Sequence, residues 1–247
     1  IRTGEFIWAG TGPSNPNTMS RPGEAVAVPP GAAILDRLGG GTLDIVADTI
    51  RFGYAPNAQP VRLVPSDRIA LGFDTVNLTA GKLISTDADN GSLHVYREQN
   101  GYVADEGWRY SGGALNITTP LLSGGSAGKL AVHAGGDITI SGGTGGAAAA
   151  SDKLGAELRF SGRNIHLDTA VVLPSGKLVL DAAQDVTLGD DARIDLAGRE
   201  ITLFDVKRYS WGGDLQINSR EGNVHAAAGS LIDVSAAYNR GGSIDVT

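Results

Sequence analysis

A glycine-led pattern of alternating apolar and polar residues recurs along this chain of 247 residues. One or two glycines precede one further residue, and then an apolar, a polar and an apolar residue follow. The strong copies begin at Gly40, Gly112, Gly212 and Gly241, and looser copies begin at Gly128 and Gly176. Each copy joins a turn signal to period-two alternation, which predicts a tight corner leading into a short strand with one buried face. Recurrence of such a unit indicates a solenoid.

The stretch from 155 to 198 gives the period of the repeat. Leu158 to Leu178 spans 20 positions, which hold three strand phrases and three corners. Three strands and three corners make one turn of a three-sided parallel β-helix, in which each strand pairs with its equivalent in the next turn. No window has a sustained 3.6-residue period, so we expect few helices. We predict an all-β, right-handed parallel β-helix, its handedness following the rule for parallel crossovers.

Two regions are predicted along the chain. Residues 1–39 contain several proline breaks and are expected to form an irregular extension or cap, with short edge strands at 6–8 and 25–28. Residues 40–247 are expected to form the β-helix, and Glu200 to Phe204 is one of its predicted strands. Excursions from the stack are predicted near 53–67, 96–111, 141–154 and 205–211.

An antiparallel sandwich is the main structural alternative, because short alternating strands serve both folds. Two-residue hairpin signals of the Asn-Gly or Asp-Gly type are nearly absent between the predicted strands, which favours the β-helix. The exceptions are Asn90-Gly91 and Asn100-Gly101, and both fall in one segment.

Composition narrows the classes of partner. The formal net charge is -7 and no basic run occurs, which argues against nucleic acid and anionic lipid as partners. No segment approaches the ~20 apolar residues that span a bilayer, so we expect no membrane insertion. The chain has no cysteine, which excludes disulfides and thiolate chemistry. It begins at Ile1 and stops within a predicted strand, so we expect a fragment of a longer protein.

Three segments carry a family resemblance: GKLVLDAAQDVTL at 176–188, DARIDLAG at 191–198 and GSLIDVS at 229–235. They resemble the β-helical repeats of filamentous-haemagglutinin-type exoproteins, the large passengers of bacterial two-partner secretion. The resemblance covers about 112–247 and is weaker over 40–100. It implies an internal or distal part of an elongated right-handed β-helix, secreted or exposed on the bacterial surface and used in adhesion, biofilm formation or toxin display. The implied partners are an outer-membrane transporter during secretion and a glycan or protein receptor on host or bacterial cells.

Two predicted excursions share aromatic and arginine residues and precede Gly-Gly. The candidate glycan-contacting residues are Tyr96, Trp108, Arg109 and Tyr110 in the first group, and Arg208, Tyr209 and Trp211 in the second. Tyr238-Asn239-Arg240 is a weaker third copy. Aromatic faces stack on sugar rings and guanidinium groups donate to hydroxyls, so these residues form a possible glycan-contacting ridge. The alternative is that the aromatics cover protruding loops and the arginines stack on them.

Acidic residues give no recognisable catalytic or metal motif. Asp190-Asp191 offers paired carboxylates, but its neighbours Asp168, His166 and Arg193 form no known arrangement. The segment from Asp87 to Gly91 does not match the calcium-binding EF-hand loop. We therefore predict no catalytic residue, no metal site and no cofactor, and a structural or adhesive role. The alternatives are a polysaccharide-binding or polysaccharide-degrading β-helical protein, or a passive shaft that presents a distant toxin.

Overall fold

Strands make up the regular structure of this chain. The structure is a computed structural model that describes residues 1–10, 40–53, 66–87, 90–103, 107–146 and 152–247, and these ranges contain no helix. The strands are β1 (Arg2–Trp8), β2 (Thr42–Phe52), β3 (Ser66–Leu71), β4 (Thr75–Thr86), β5 (Asn90–Tyr96), β6 (Glu98–Val103), β7 (Gly107–Ser111), β8 (Ala114–Thr118), β9 (Leu121–Gly124), β10 (Lys129–Ala134), β11 (Ile138–Ser141), β12 (Glu157–Gly162), β13 (Ile165–Asp168), β14 (Ala170–Val172), β15 (Lys177–Ala182), β16 (Val186–Leu188), β17 (Arg193–Asp195), β18 (Glu200–Leu203), β19 (Val206–Tyr209), β20 (Asp214–Ser219), β21 (Val224–Ala226), β22 (Leu231–Asp233) and β23 (Ser243–Val246).

The stacked strands pair in parallel and form three series. The first series runs through the first halves of β2 and β4 and then β8, β11, β13, β16 and β21. The second runs through β1, the second halves of β2 and β4, and then β9, β14, β17 and β22. The third is a seven-stranded sheet of β3, β5, β10, β12, β15, β20 and β23. These curled parallel sheets are consistent with a β-solenoid, and the parallel pairing rules out the antiparallel sandwich.

The register of the stack agrees with the repeat in the sequence. Leu158 pairs with Leu178 across β12 and β15, so the predicted 20-residue interval is one full return of the chain to the same position. Inward positions form aliphatic columns, of which Leu130, Leu158, Leu178 and Leu215 are one example. Their side chains are almost fully buried, because each packs between its counterparts in neighbouring strands. Aliphatic columns of this kind form the core.

The first residues of the chain extend the stack. Strand β1 pairs in parallel with β2, and Trp8 lies opposite Phe52 with the two rings stacked at a centroid distance of 6.0 Å. Arg68 is buried, donates from Nε to the Trp8 carbonyl oxygen, and lies 5.7 Å from the centre of the Phe52 ring. These contacts cover the N-terminal end of the core. The rest of the predicted extension, including the strand at 25–28, belongs to residues 11–39, outside the described residues.

Two antiparallel hairpins leave the stack. The first hairpin (β6 and β7) lies between a third-series strand and a first-series strand, within the excursion predicted at 96–111. The second hairpin (β18 and β19) lies between β17 and β20, so this excursion begins at Glu200 rather than at 205. The prediction of a stacked strand from Glu200 to Phe204 is therefore wrong. Residues 200–203 pair with Val206–Tyr209 instead of with a strand of a neighbouring turn.

Other predicted excursions fall partly outside the described residues. Most of the segment 53–67 is not described, and β3 begins at Ser66. Between β11 and β12 the described residues contain no second-series strand, and β9 pairs directly with β14. Within the described part of that excursion, Gly143 passes against Pro120 and Gly145 against Gly81 of earlier turns. Asn100-Gly101 lies at a register shift inside the first hairpin, not at its turn.

Candidate functional site

The aromatic side chains of the first group stack on one another. The ring of Tyr96 lies 5.1 Å from that of Tyr110 and 6.0 Å from that of His94, and His94 stacks on His133 at 5.0 Å. Burial, followed by the neighbouring Tyr110, raises the pKa of Tyr96. Burial also lowers the pKa of His133, and nearby Arg159 adds to this effect against the opposing influence of Asp181. The faces that Tyr96 and Tyr110 turn toward each other are thus occupied and are closed to a sugar.

The remaining members of the first group lie in strand β7. Trp108 is opposite Tyr102 in the antiparallel pair, and both of their side chains lie outside the described part of the chain. Arg109 is exposed on the same strand. At the base of this hairpin, Arg97 forms ion pairs with Asp74 at 3.1 Å and with Glu98 at 3.2 Å. The hairpin is thereby tied to the stack by charged contacts.

The second group lies at the base of the second hairpin, which is fixed to the stack by buried hydroxyl groups. Ser175 Oγ lies 2.7 Å from Ser210 Oγ and 2.7 Å from the carbonyl oxygen of Trp211. The backbone N–H of Arg199 donates to Ser210 Oγ at 2.7 Å. Ser175 and Ser210 are both buried, so this network links the two ends of the hairpin to the corner before β15. The backbone on either side of Tyr209 and Trp211 is held in place.

Aromatic surface is exposed around this base. Trp211 is 59% exposed and Tyr238 is 89% exposed. The Tyr209 and Tyr238 rings lie 4.9 Å apart with an interplanar angle of 53°, and Asn239 Nδ2 donates to the Tyr209 carbonyl oxygen at 2.7 Å. The segment Tyr238-Asn239-Arg240, the third copy in the sequence, therefore packs against the second group. Phe204, which sequence reasoning missed, is fully exposed at the tip of the hairpin.

A cleft opens beneath the second hairpin. It has a volume of 340 Å³, and it is lined by Leu154, Gly155, Ser175, Ile201, Arg208, Tyr209, Ser210 and Trp211. Ile201 and Arg208 lie opposite each other in the hairpin, and both side chains face this space. Leu154 and Ile201 also line an adjoining open groove with Ser126, Ala127, Asp152 and Lys153. We call the cleft and the groove together the corner cleft.

Unusual backbone geometry concentrates at the corner cleft. Among the described residues, the non-glycine positions with positive φ are Ala127 (51°), Ser175 (52°), Phe204 (58°) and Tyr238 (53°). Ala127 lines the groove, Ser175 lines the cleft, Phe204 is at the tip of the hairpin, and Tyr238 packs on Tyr209. Left-handed backbone is unfavourable for such side chains and tends to occur at functional sites. The sequence gives no signal for it, since glycine is absent from all four positions.

Charges around the hairpin are mostly paired. Lys207 Nζ lies 2.7 Å from Glu200, and the pKa of Glu200 is lowered chiefly by this contact. Arg199 pairs with Asp195 at 2.6 Å. Arg208 makes no ion pair with any described residue, and its exposed guanidinium faces the cleft. The cleft under the hairpin therefore combines an aromatic wall with the guanidinium of Arg208, which has no ion-pair partner among the described residues.

The structure does not bring the two predicted groups together. The first hairpin precedes β8 in the first series, whereas the second hairpin precedes β20 in the third series, so they leave the stack at different corners. The two groups therefore do not form one ridge. The second group is joined by Tyr238 and presents exposed aromatic surface.

Acidic residues at other corners hold the backbone. The Asp190 carboxylate accepts a bond from the Gly229 N–H at 3.1 Å, and Asp168 accepts one from the Asp191 N–H at 2.8 Å. Within the ranges described, no group of three or more His, Asp or Glu side chains is placed to hold a metal ion. No helix capable of crossing a membrane occurs in the same ranges.

Comparisons of the chain with models of protein families, with curated proteins and with solved structures gave no match.

Proposed function

We propose that this chain is a segment of a large, secreted bacterial exoprotein of the filamentous-haemagglutinin type, with a structural and adhesive role at the cell surface. The observation that carries the proposal is the continuous parallel stack. The third series alone links seven strands from β3 to β23, and the hairpins leave its corners without interrupting it. A stack of this kind is rigid along its axis, because every turn is hydrogen-bonded to the next.

The proposed architecture is a right-handed, three-sided β-helix. Successive strands enter the first, second and third series in a fixed order, as β13, β14 and β15 do, followed by β16 and β17. Three series visited in rotation support three sides, and the strong preference of parallel crossovers supports the right hand. A crystal structure of the chain tests both features directly, and a left-handed or two-sided coil would overturn this part of the proposal.

The resemblance at 176–188, 191–198 and 229–235 supports a place in two-partner secretion, with an outer-membrane transporter as the export partner. The lack of cysteine fits passage of an unfolded chain through an oxidising compartment, where free thiols would crosslink. The proposed receptor is a glycan or a protein on a host or bacterial cell. In this role the stack supplies reach and rigidity, and the excursions supply contact surfaces.

Adhesion is tested with polystyrene beads coated with the folded chain. We expect these beads to attach to epithelial cells or to bacterial biofilm well above beads coated with albumin. Beads that carry the heat-unfolded chain are the matched control, because they present the same composition without the stack. Attachment no greater than that of the controls on every surface would contradict the proposed function.

A further inference from the structure

We propose that the corner cleft binds an oligosaccharide that carries a carboxylate, such as a chain of uronic acids. This inference rests on the proposed adhesive function and names a receptor class for it. Its lining includes Arg208, Tyr209 and Trp211 from the second hairpin and its base, together with Leu154 and Ser175.

The indole of Trp211 provides the stacking surface. It is 59% exposed and lines the cleft, whereas the rings of Tyr96 and Tyr110 in the first group stack on each other. The C–H face of a pyranose packs against an aromatic ring of this kind, and Tyr209, braced by Tyr238, widens the same wall. A sugar ring therefore fits this wall better than it fits the stacked rings of Tyr96 and Tyr110.

The backbone under this wall is ordered before any ligand arrives. Ser175 Oγ lies within hydrogen-bond distance of both Ser210 Oγ and the Trp211 carbonyl oxygen, and all three groups belong to residues that line the cleft. A site whose frame is already fixed loses less conformational entropy on binding. Such a frame favours recognition of a rigid, ring-shaped ligand.

The pairing of the nearby cations indicates that the ligand carries a negative charge. Lys207 and Arg199 each have a carboxylate partner, but Arg208, on the strand that lines the cleft, has none among the described residues. A guanidinium group binds carboxylates through two parallel hydrogen bonds. The adjoining groove is lined by both Asp152 and Lys153, which carry opposite charges, so the guanidinium of Arg208 marks the place of the ligand carboxylate.

The size of the site argues for more than one sugar. The cleft of 340 Å³ continues into the open groove past Leu154 and Ile201. A single ring would occupy the wall at Trp211, and further rings would extend along the groove toward Ala127. An oligosaccharide therefore fits the shape better than a monosaccharide.

The test measures binding of tetragalacturonate and of its neutral counterpart, tetragalactose, to the whole chain by titration calorimetry. We expect tetragalacturonate to bind more tightly than tetragalactose. Arg208→Gln and Trp211→Ala should each weaken tetragalacturonate binding by about tenfold, as loss of one charged hydrogen-bonding group or one stacking surface implies. Lys207→Gln is the matched control: it removes one positive charge from the adjacent position, where Glu200 already pairs it, and should leave affinity nearly unchanged.

Equal binding of the two sugars, equal effects of Arg208→Gln and Lys207→Gln, or no binding at all would overturn the proposal. The substituted side chains are exposed, and thermal melting of each variant verifies that the fold is intact. The bead assay separates this inference from the proposed function. Beads of Arg208→Gln that still attach fully would overturn the role of the cleft alone, whereas failure of the unmodified chain to attach would overturn the adhesive function itself.

Discussion

Glycines precede the last three strands of the third series, where the closeness of successive turns requires them. Gly176, Gly213 and Gly242 occupy equivalent positions, each one residue before β15, β20 and β23. A Cβ on Gly213 would come closer than 3.0 Å to the carbonyl oxygen of Gly176, and a Cβ on Gly242 would meet that of Gly213 in the same way. The backbone of each turn thus rests directly on the carbonyl oxygen of the turn below.

Gly213→Ala is expected to destabilise the chain by about 1–3 kcal/mol, the usual cost of forcing extra atoms into a packed site. The added methyl group cannot move away from backbone, so the neighbouring turns must separate. Urea unfolding followed by circular dichroism measures the loss. Gly146→Ala is the control, because a Cβ at Gly146 meets no atom within 4 Å. Equal unfolding midpoints for the two variants would contradict this explanation.

The glycine-led pattern identified corners and strands from sequence, and strands do follow the copies at Gly112 and Gly212. It could not distinguish the two physical reasons for glycine. Gly112 and Gly113 have positive φ angles of 63° and 85°, and a Cβ on Gly113 would also crowd the backbone of the preceding turn, whereas Gly213 is needed for lack of space alone. The two requirements produce the same residue, so the sequence alone cannot assign a copy to one corner or the other.

At the scale of elements, the second hairpin shows the limit of local patterns. Glu200, Ile201, Thr202 and Leu203 alternate as a stacked strand would, and this alternation led to the wrong prediction for this segment. A strand's own sequence specifies which face is apolar but not which neighbour it pairs with. Here the partner is Val206–Tyr209, four residues that follow a two-residue turn. The cleft beneath this hairpin therefore could not be predicted from the sequence.

The turn of the second hairpin contains a side chain in an unfavourable conformation. Phe204 has a φ of 58° and is fully exposed, so no packing compensates for the left-handed backbone. Such backbone costs an L-residue about 1–2 kcal/mol, and glycine avoids most of that cost. Phe204→Gly should therefore stabilise the hairpin by about 1 kcal/mol and slow amide exchange at its paired residues about fivefold.

Hydrogen exchange resolved by NMR measures the effect of Phe204→Gly at the amides of β18 and β19. Asp205→Gly is the matched control, because Asp205 lies in the same turn without a positive φ and glycine there adds only unfolded-state entropy. Faster exchange in Phe204→Gly, or the same change in both variants, would show that the backbone of Phe204 is not strained.

For the whole molecule, the coarse fold followed from the period of the repeat. The 20-residue return from Leu158 to Leu178 was predictable because one aliphatic column requires one residue per turn. The positions of the excursions were not predictable, because the corner at which a hairpin leaves the stack depends on how many strands precede it in that turn. The third copy at Tyr238 reaches Tyr209 only because one full turn separates them. The second group is therefore recognisable in the sequence, whereas its contact with Tyr238 is not.

The stack also predicts how stability depends on position along its axis. Leu178 and Ile244 belong to the same inward column, but Leu178 is fully buried between β12 and β20, whereas Ile244 in the last strand is 49% exposed. In a solenoid each turn is stabilised by its immediate neighbours, so a column residue with two neighbours contributes more than one with a single neighbour. Leu178→Ala should cost about 2–5 kcal/mol, the range for a buried leucine.

Ile244→Ala should cost less than about half of that amount, because roughly half of the side chain already contacts water. Urea unfolding of the two variants and the parent chain under identical conditions gives the comparison. The substitutions remove similar aliphatic groups from the same column, so a difference between them reports position in the stack rather than chemistry. Equal losses would mean that the last turn is as firmly packed as the middle, and that stability does not propagate from neighbour to neighbour.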